Sequence, residues 1–527
     1  MPRISVTERD LSWYYRQRPD TPGTVFVPGI ATFGPTDRPI LCDYTNFTNV
    51  FGTSAIPDIG DISYDSAASF IKSGFSVLFQ RFVTEGAKAA SYTISDDSDN
   101  SIVFSAKYVG SFGNRLSVRL SGNYERVAVF VYLDGTTLLE NLVFVPADPN
   151  DVRKFNYDSQ YLSVSVTGTA TSLPITSGPH LLSGGTDYEE GNGDDVASEA
   201  DTLLSTIASQ LSVEGVFDHL KDPYQYEIDL ISSVGWPNIG SFTTNGSAYT
   251  TNSVGYKIDT LLTDLASSLG TAVYLIDGAS SWDDATMYGY CSQFNISYAA
   301  GIGPWGYAQL INTGDLRLLP GSYALINSWA NSCAAGNPIW MAPAGTKRAT
   351  LGSFYKETAQ FVGKTTLDMW QNHEYVVPGD YKVNPIMEIR QYGYVVYGNS
   401  TLLQVKTDGS TSQLQALSTR VLCNQIKRQA LRISLTLQFD QMARDLYSEF
   451  RALMTDYMEQ LRYNNALYSY QIVLSENTIT SADLNERTVP VIIRISPIPA
   501  AENFDITLEI AQAGIIFTDD TDETEVA

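Results

Sequence analysis

Basic and metal-binding side chains are scarce in this sequence, and their scarcity closes off several classes of function. The 527 residues carry 33 lysines and arginines against 58 aspartates and glutamates, a formal net charge of -25. Contact with phosphates needs a basic face, so general nucleic-acid binding is excluded unless a local patch escapes the average. The three histidines, His180, His219 and His373, stand apart, none with a second histidine four residues on, so no metal or triad role can be assembled from them. The four cysteines, Cys42, Cys291, Cys333 and Cys423, form no CxxC pair, which argues for reduced thiols over a zinc site. No run of about 18 apolar residues is present, so no direct membrane insertion is expected. The opening MPRISVTERD lacks the basic-then-apolar layout of a secretion signal, and the expected location is a cytoplasm or release by lysis.

Candidate chemistry is equally thin. Gly301, Gly303 and Gly306 spell GxGxxG, but Pro304 removes an N–H that a phosphate would need, and YAQLINTG reads as strand where a dinucleotide loop opens a helix. The acidic runs SDDSDN and DDTDETE lack the glycine and distal glutamate of a calcium loop and read as solvated loops. No catalytic residue, cofactor site or metal site is therefore assigned, and an enzyme is not expected.

What the chain does have is periodicity. Hydrophobic residues make up 43% and charged residues 17%, a globular balance, and the length predicts three or four domains. Residues 1–20 read as an N-terminal arm whose Ile4 and Val6 alternate with polar neighbours: either the first strand of its own domain or one lent to a partner sheet. Residues 21–92 give strands and helices of an α/β core layer, first part. From 93 to 183 only strands recur, around AKYVGSFGNRLSV and VAVFVYL, which predicts an inserted β-sandwich or barrel. Helix and strand alternation resumes over 184–365, the second part of the core. Residues 366–510 predict a strand, two helices and three further strands, a C-terminal α+β domain, with 511–527 an acidic C-terminal arm. There Ser418 is a candidate cap for the first helix, and the second, placed over Gln438 to Tyr463, carries Leu446, Phe450, Leu453, Tyr457 and Leu461 as one stripe. The predicted class is thus α+β multidomain: a mixed α/β core, an inserted β domain, and a C-terminal domain with exchangeable terminal strands.

Several segments, in order, resemble the tail sheath proteins of contractile-tailed bacteriophages. They are Gly34-Pro35 with Pro39 and Phe51-Gly52; Tyr108, Gly110, Gly113 and Asn114; Ser297-Tyr298-x-Ala300 with Pro304-Trp305; Trp340-x-Ala342-Pro343-Ala344-Gly345; and the C-terminal GYVVYGNSTL, ALYSYQIVLSENT and VPVIIRISPIPAAENFDITLEI. The resemblance implies a structural subunit that polymerises as stacked hexameric rings around a tail tube and contracts to drive the tube through a host envelope. Its partners would be itself, the tube protein, and baseplate and tail terminator proteins; its place would be the virion tail, assembled in the host bacterial cytoplasm. A bacteriocin or bacterial contractile injection system uses the same fold and stands as an alternative; a β-rich surface or carbohydrate-binding structural protein is a second. Family members place the C-terminal domain innermost, so the basic face of Arg420, Asn424, Lys427 and Arg428 is the candidate tube-facing surface. Subunits that slide without losing connection suggest exchanged strands, for which Ile4 and Val6 at one end and Phe504, Ile506, Leu508 and Ile510 at the other are the candidates.

Overall fold

The computed structural model describes residues 23–52, 62–83, 86–95, 100–123, 125–168, 178–187, 196–212, 220–222, 226–235, 254–359, 383–404 and 410–501. The candidate exchange residues Ile4, Val6, Phe504, Ile506, Leu508 and Ile510, together with His219, His373 and most of both acidic runs, lie outside them. Among the described residues, no helix is long and apolar enough to cross a membrane.

The core is a discontinuous eight-stranded sheet. Its strands in chain order are β1 (Thr24–Ile30), β2 (Ile40–Cys42) and β3 (Ser76–Phe82), then, beyond the insertion, Leu230–Ser232, Val273–Asp277, Ala299–Gly303, Val383–Ile389 and Gly393–Val396. The six central strands are parallel; β2 and Gly393–Val396 close the two edges antiparallel. Strands such as TVFVPGI and VYLID are apolar on both faces because helices, among them Val254–Leu269 and Gly321–Ala334, cover the sheet on either side. The segment Val383–Val396 was expected in the C-terminal domain, but Val383, Ile386, Val395 and Val396 are buried in the core cluster. The C-terminal unit therefore begins within the helix Leu417–Leu437, whose Leu417 and Val421 still belong to the core and whose Leu422, Ile426 and Ile433 belong to the next cluster.

Between β3 and Leu230–Ser232 the chain makes the inserted domain, two antiparallel sheets around one core. One contains Ser91–Ser95, Ser101–Ala106 and Leu162–Thr167; the other contains Leu116–Asn123, Arg126–Leu133, Thr137–Phe144 and the short His180–Leu181. The insertion is fastened at Arg81, near the end of β3. This arginine is fully buried, and burial pulls its guanidinium down to about 10. It donates to three backbone carbonyls: Nε to Ala31 at 2.7 Å, Nη1 to Gly34 at 2.8 Å and Nη2 to Val109 at 2.9 Å. Phe33 reaches across the same seam and packs on Tyr108, Phe112 and Tyr161.

This seam accounts for the glycines of AKYVGSFGN as tight backbone turns. Gly110 has φ of 130°, and a Cβ there would collide with the Thr32 carbonyl oxygen; at Gly113 one would come within 2.9 Å of the Ala90 and Ala106 methyls. Asn114 exchanges two hydrogen bonds with the Gly185 backbone, at 2.7 and 2.8 Å. Gly110→Ala should therefore weaken the seam by about 2–4 kcal/mol through strain and displaced carbonyl bonds. The check is hydrogen exchange: amides around 106–115 and 183–187 should lose protection while those of Val273–Asp277 keep theirs.

The C-terminal unit is two helices and a two-stranded sheet. The second helix starts at Arg444, later than expected, because the chain turns between 438 and 443; its fully buried stripe is Tyr447, Phe450, Met454, Met458 and Leu461. Leu446, Leu453 and Tyr457 flank that stripe as partly buried neighbours. The helix covers Leu467–Val473, which pairs antiparallel with Ile492–Pro497. The third expected strand falls outside the described residues.

Candidate assembly site

The helix Leu417–Leu437 lies across the edge of the core sheet where the parallel strands begin. Its basic side chains point into that edge. Arg428, 5% exposed, pairs with buried Asp229 through Nη1, and its Nη2 donates to the carbonyls of Ile228 at 2.7 Å and Thr271 at 3.2 Å. The Asp229 carboxylate also accepts from Gln425 Nε2 at 2.8 Å and from the Thr24 backbone N–H at 2.9 Å, where β1 starts. Arg420 donates to Ser297 Oγ at 2.5 Å and stacks 4.2 Å above the Tyr298 ring, and Asn424 Nδ2 donates to the Ala272 carbonyl at 3.3 Å. Lys427 donates to Tyr298 Oη at 2.7 Å and to the Gly270 carbonyl at 3.2 Å. Gly270, at φ of 65°, ends the helix Val254–Leu269, so the ammonium sits at the negative end of a helix dipole.

The face expected to meet a tube is thus turned inward. Arg420, Asn424 and Arg428 are buried within the subunit, and Lys427 alone of the four is exposed. The physical reason is that each strand entry presents unpaired carbonyls, and guanidinium and ammonium groups satisfy them without a partner. Ser418 does not cap this helix; its N–H and hydroxyl are engaged by the Asn399 side chain, and the helix opens after Ala416. Because Asp229 would be left charged and buried, Arg428→Ala should destabilise the protein by roughly 3–5 kcal/mol. Denaturant unfolding checks this, with Arg432→Ala as the comparison, since Arg432 and Glu227 pair at a half-exposed site and should contribute under about 1 kcal/mol.

Two buried carboxyls lie on opposite faces of the strand Val273–Asp277 and had no signal in the sequence motifs. Asp259 accepts from the hydroxyls of Tyr274, at 2.5 Å, and Tyr290; the Tyr274 oxygen lies 3.0 Å from Ser233 Oγ. Asp277 accepts from the Ser322 backbone N–H at 2.8 Å and from the Ser322 hydroxyl, which lies 3.0 Å from Ser232 Oγ. Removal from water pushes both carboxyls up, to about 7. These are closed hydroxyl–carboxyl networks walled in by core side chains, and they tie adjacent elements together. No group of three or more histidines, cysteines or acids that could hold a metal occurs among the described residues.

A carboxyl raised in the folded state contributes stability that is complete below its unfolded value near 4 and is lost as pH rises through about 7. Asp259→Asn should therefore reduce the pH dependence between 4 and 7, leaving the share due to Asp277, and stabilise the protein at pH 8, by on the order of 2–4 kcal/mol. Thermal melts of both proteins across that window check the sign.

The motif residues carry structural duties too. Trp305 donates to the Gly278 carbonyl at 2.7 Å, and Trp340 packs against both the core and the C-terminal cluster. The glycines at 301, 303 and 306 fall in the strands Ala299–Gly303 and Gly306–Gln309, with no helix between them. His180 stacks on Tyr92, with ring centroids 4.4 Å apart. All four cysteines are free thiols; burial raises Cys42 to about 12 and Cys333 to about 11.

At the far end of the unit, the sheet Leu467–Val473 with Ile492–Pro497 has no further strand on either edge among the described residues. Ile493 and Ile495 face the covering helix half-buried, while Tyr468 and Ile492 are exposed. Two strands form a marginal sheet, and open edges of this kind accept further strands.

A mixed α/β core, an inserted sandwich and a helix-backed C-terminal sheet make up a fold shared with a solved tail sheath protein. No protein-family model matches the sequence, and no curated protein matches it. Among solved structures, a sheath tail protein of Listeria innocua superposes with a TM-score of 0.55 at 14% identity, over 92% of this chain and 93% of that one. A sheath tail protein of Desulfitobacterium hafniense gives a TM-score of 0.48 at 12% identity, over 91% and 96%. The contracted helical sheath of the anti-feeding prophage gives 0.47 at 11% identity, over 93% of each chain.

Proposed function

We propose that this chain is the structural subunit of a contractile tail sheath, polymerising as stacked hexameric rings around a tail tube and contracting to drive the tube through the host envelope. The observation that carries the reading is the likeness to the Listeria innocua sheath tail protein, which runs through all three parts of the fold rather than one domain. The role is structural, without an assigned reaction. Its partners are further copies of itself and a baseplate, with the tube and a tail terminator completing the assembly, and its place is the virion tail, assembled in the host cytoplasm.

The two-stranded C-terminal sheet supports strand exchange as the link between subunits. Ile4 and Val6 of one neighbour, and Phe504, Ile506, Leu508 and Ile510 of another, alternate as strands that would fit its open edges. Backbone hydrogen bonds between chains would then survive while the linkers bend during contraction. Contact with the tube is not assigned to Arg420, Asn424 or Arg428, whose groups are engaged inside the subunit.

Negative-stain electron microscopy of the expressed chain tests the function: striated hollow tubes or stacked rings are expected. Deleting residues 1–18 should leave a subunit with an unchanged melting profile that no longer polymerises. Tubes from the truncated chain would end the exchange proposal, and monomers of the full chain that persist when tube protein is added would end the sheath reading.

A further inference from the structure

The helix Leu417–Leu437 is seated on the sheet edge by two unlike contacts. At Arg428 the guanidinium meets a carboxylate and two carbonyls. About two turns earlier, Arg420 meets a hydroxyl, Ser297 Oγ, and the face of the Tyr298 ring, and among the described residues no carboxylate pairs with it. Two side-chain atoms here are buried and unpaired: Arg420 Nε and Asn424 Oδ1, in residues 5% and 2% exposed. Each burdens the fold, since a buried polar group without a partner keeps its full desolvation penalty.

The two atoms are complementary. A guanidinium Nε–H can only donate, and an amide oxygen can only accept. The Asn424 amide cannot be turned round, because Oδ1 would then oppose the Ala272 carbonyl oxygen that Nδ2 now satisfies. Residues four apart on a helix share a face, their Cβ atoms about 5–6 Å apart, so both atoms fall in one strip above the entries of Val273–Asp277 and Ala299–Gly303. Each side chain is already tethered there, Arg420 by Ser297 and Tyr298 and Asn424 by Ala272, and neither is free to close on the other. The other buried, unpaired side-chain atoms among the described residues, on Ser66, Ser117, Thr263 and Gln415, stand far apart in the sequence and form no such pair.

We propose that one buried water molecule bridges these atoms, accepting from Arg420 Nε–H and donating to Asn424 Oδ1. The Ala272 carbonyl and the Ser297 hydroxyl border the same strip, which supplies the two to four polar partners that an internal water needs. A halide or phosphate would be drawn to the guanidinium but has no proton to offer Oδ1, and a metal ion would be repelled by the guanidinium. Water also supplies part of the solvation that a buried cation otherwise takes from a carboxylate. The helix is then held by one dry fastening, Arg428 with Asp229, and one hydrated fastening at Arg420. The site belongs to the single subunit and stands apart from how copies assemble.

The test is a crystallographic density map of the full-length protein that resolves ordered solvent. A single peak is expected within about 2.7–3.2 Å of both atoms, with no anomalous signal after the crystal is exchanged into bromide. Asn424→Leu removes the acceptor at similar volume; the variant should lose that peak and, by magnetic relaxation dispersion of water oxygen, one long-lived internal water. A direct bond from Arg420 Nε to Asn424 Oδ1, a peak that takes up bromide, or no peak there in a map that shows other buried waters would overturn the proposal. So would a count of long-lived waters that a folded Asn424→Leu variant leaves unchanged. The map of the unaltered protein decides the matter even where the variant does not fold.

Discussion

Arg428 and Asp229 form an ion pair withdrawn from water, and the seating of the C-terminal unit on the core follows from it. A parallel sheet collects at one edge the carbonyls that end its crossover helices and the residues that start its strands. Here Asp229 answers β1 through the Thr24 amide and the helix Leu417–Leu437, the clamp helix, through Arg428 and Gln425, while the same guanidinium closes the carbonyls of Ile228 and Thr271. With desolvation already incurred, neither partner can leave without stranding the other. The clamp helix is therefore a strut rooted in the core, and the C-terminal unit is built on its protruding half, with Trp340 filling the angle between them. A load applied to the C-terminal sheet would pass along one continuous helix to the core.

Much of this architecture was legible in the sequence. Alternation marked the sandwich strands and Leu467–Val473, doubly apolar runs marked the parallel core, and threefold and fourfold spacing marked the covering helices. The glycines of AKYVGSFGN were legible as tight backbone turns, and Gly110 is one. What periodicity could not supply was direction. Arg420, Lys427 and Arg428 form a basic face whether they meet a partner or their own carbonyls, and only the three-dimensional position of Gly270, Thr271 and Ile228 decides between the two. Val395 and Val396 have the same pattern in a core edge as in a small terminal sheet. A better signal was present in the lone charges set within or beside apolar runs: Arg81 in SVLFQRF, Asp277 closing VYLID, Asp229 before LIS. Each is a charge with no water to go to, and each proves to be a fastening.

The likeness at 14% identity has a related basis. Many of the contacts that hold the parts in register are addressed to backbone, not to side chains: carbonyls bound by Arg81, Arg428 and Asn424, a carbonyl bound by Trp305, amides bound by Asp229 and Asp277. Side chains around such contacts can change while the geometry stays, provided volume is kept.

The Arg81 seam carries this furthest. Its three acceptors are main-chain oxygens, and the one belonging to the insertion, Val109, offers nothing that depends on which residue it is. The inserted domain is mounted much as a tool is held by a standard fitting. Any β domain whose loop brings a carbonyl and a tight glycine turn to that place could be carried by the same core, leaving the eight-stranded sheet untouched while the inserted surface is exchanged for another.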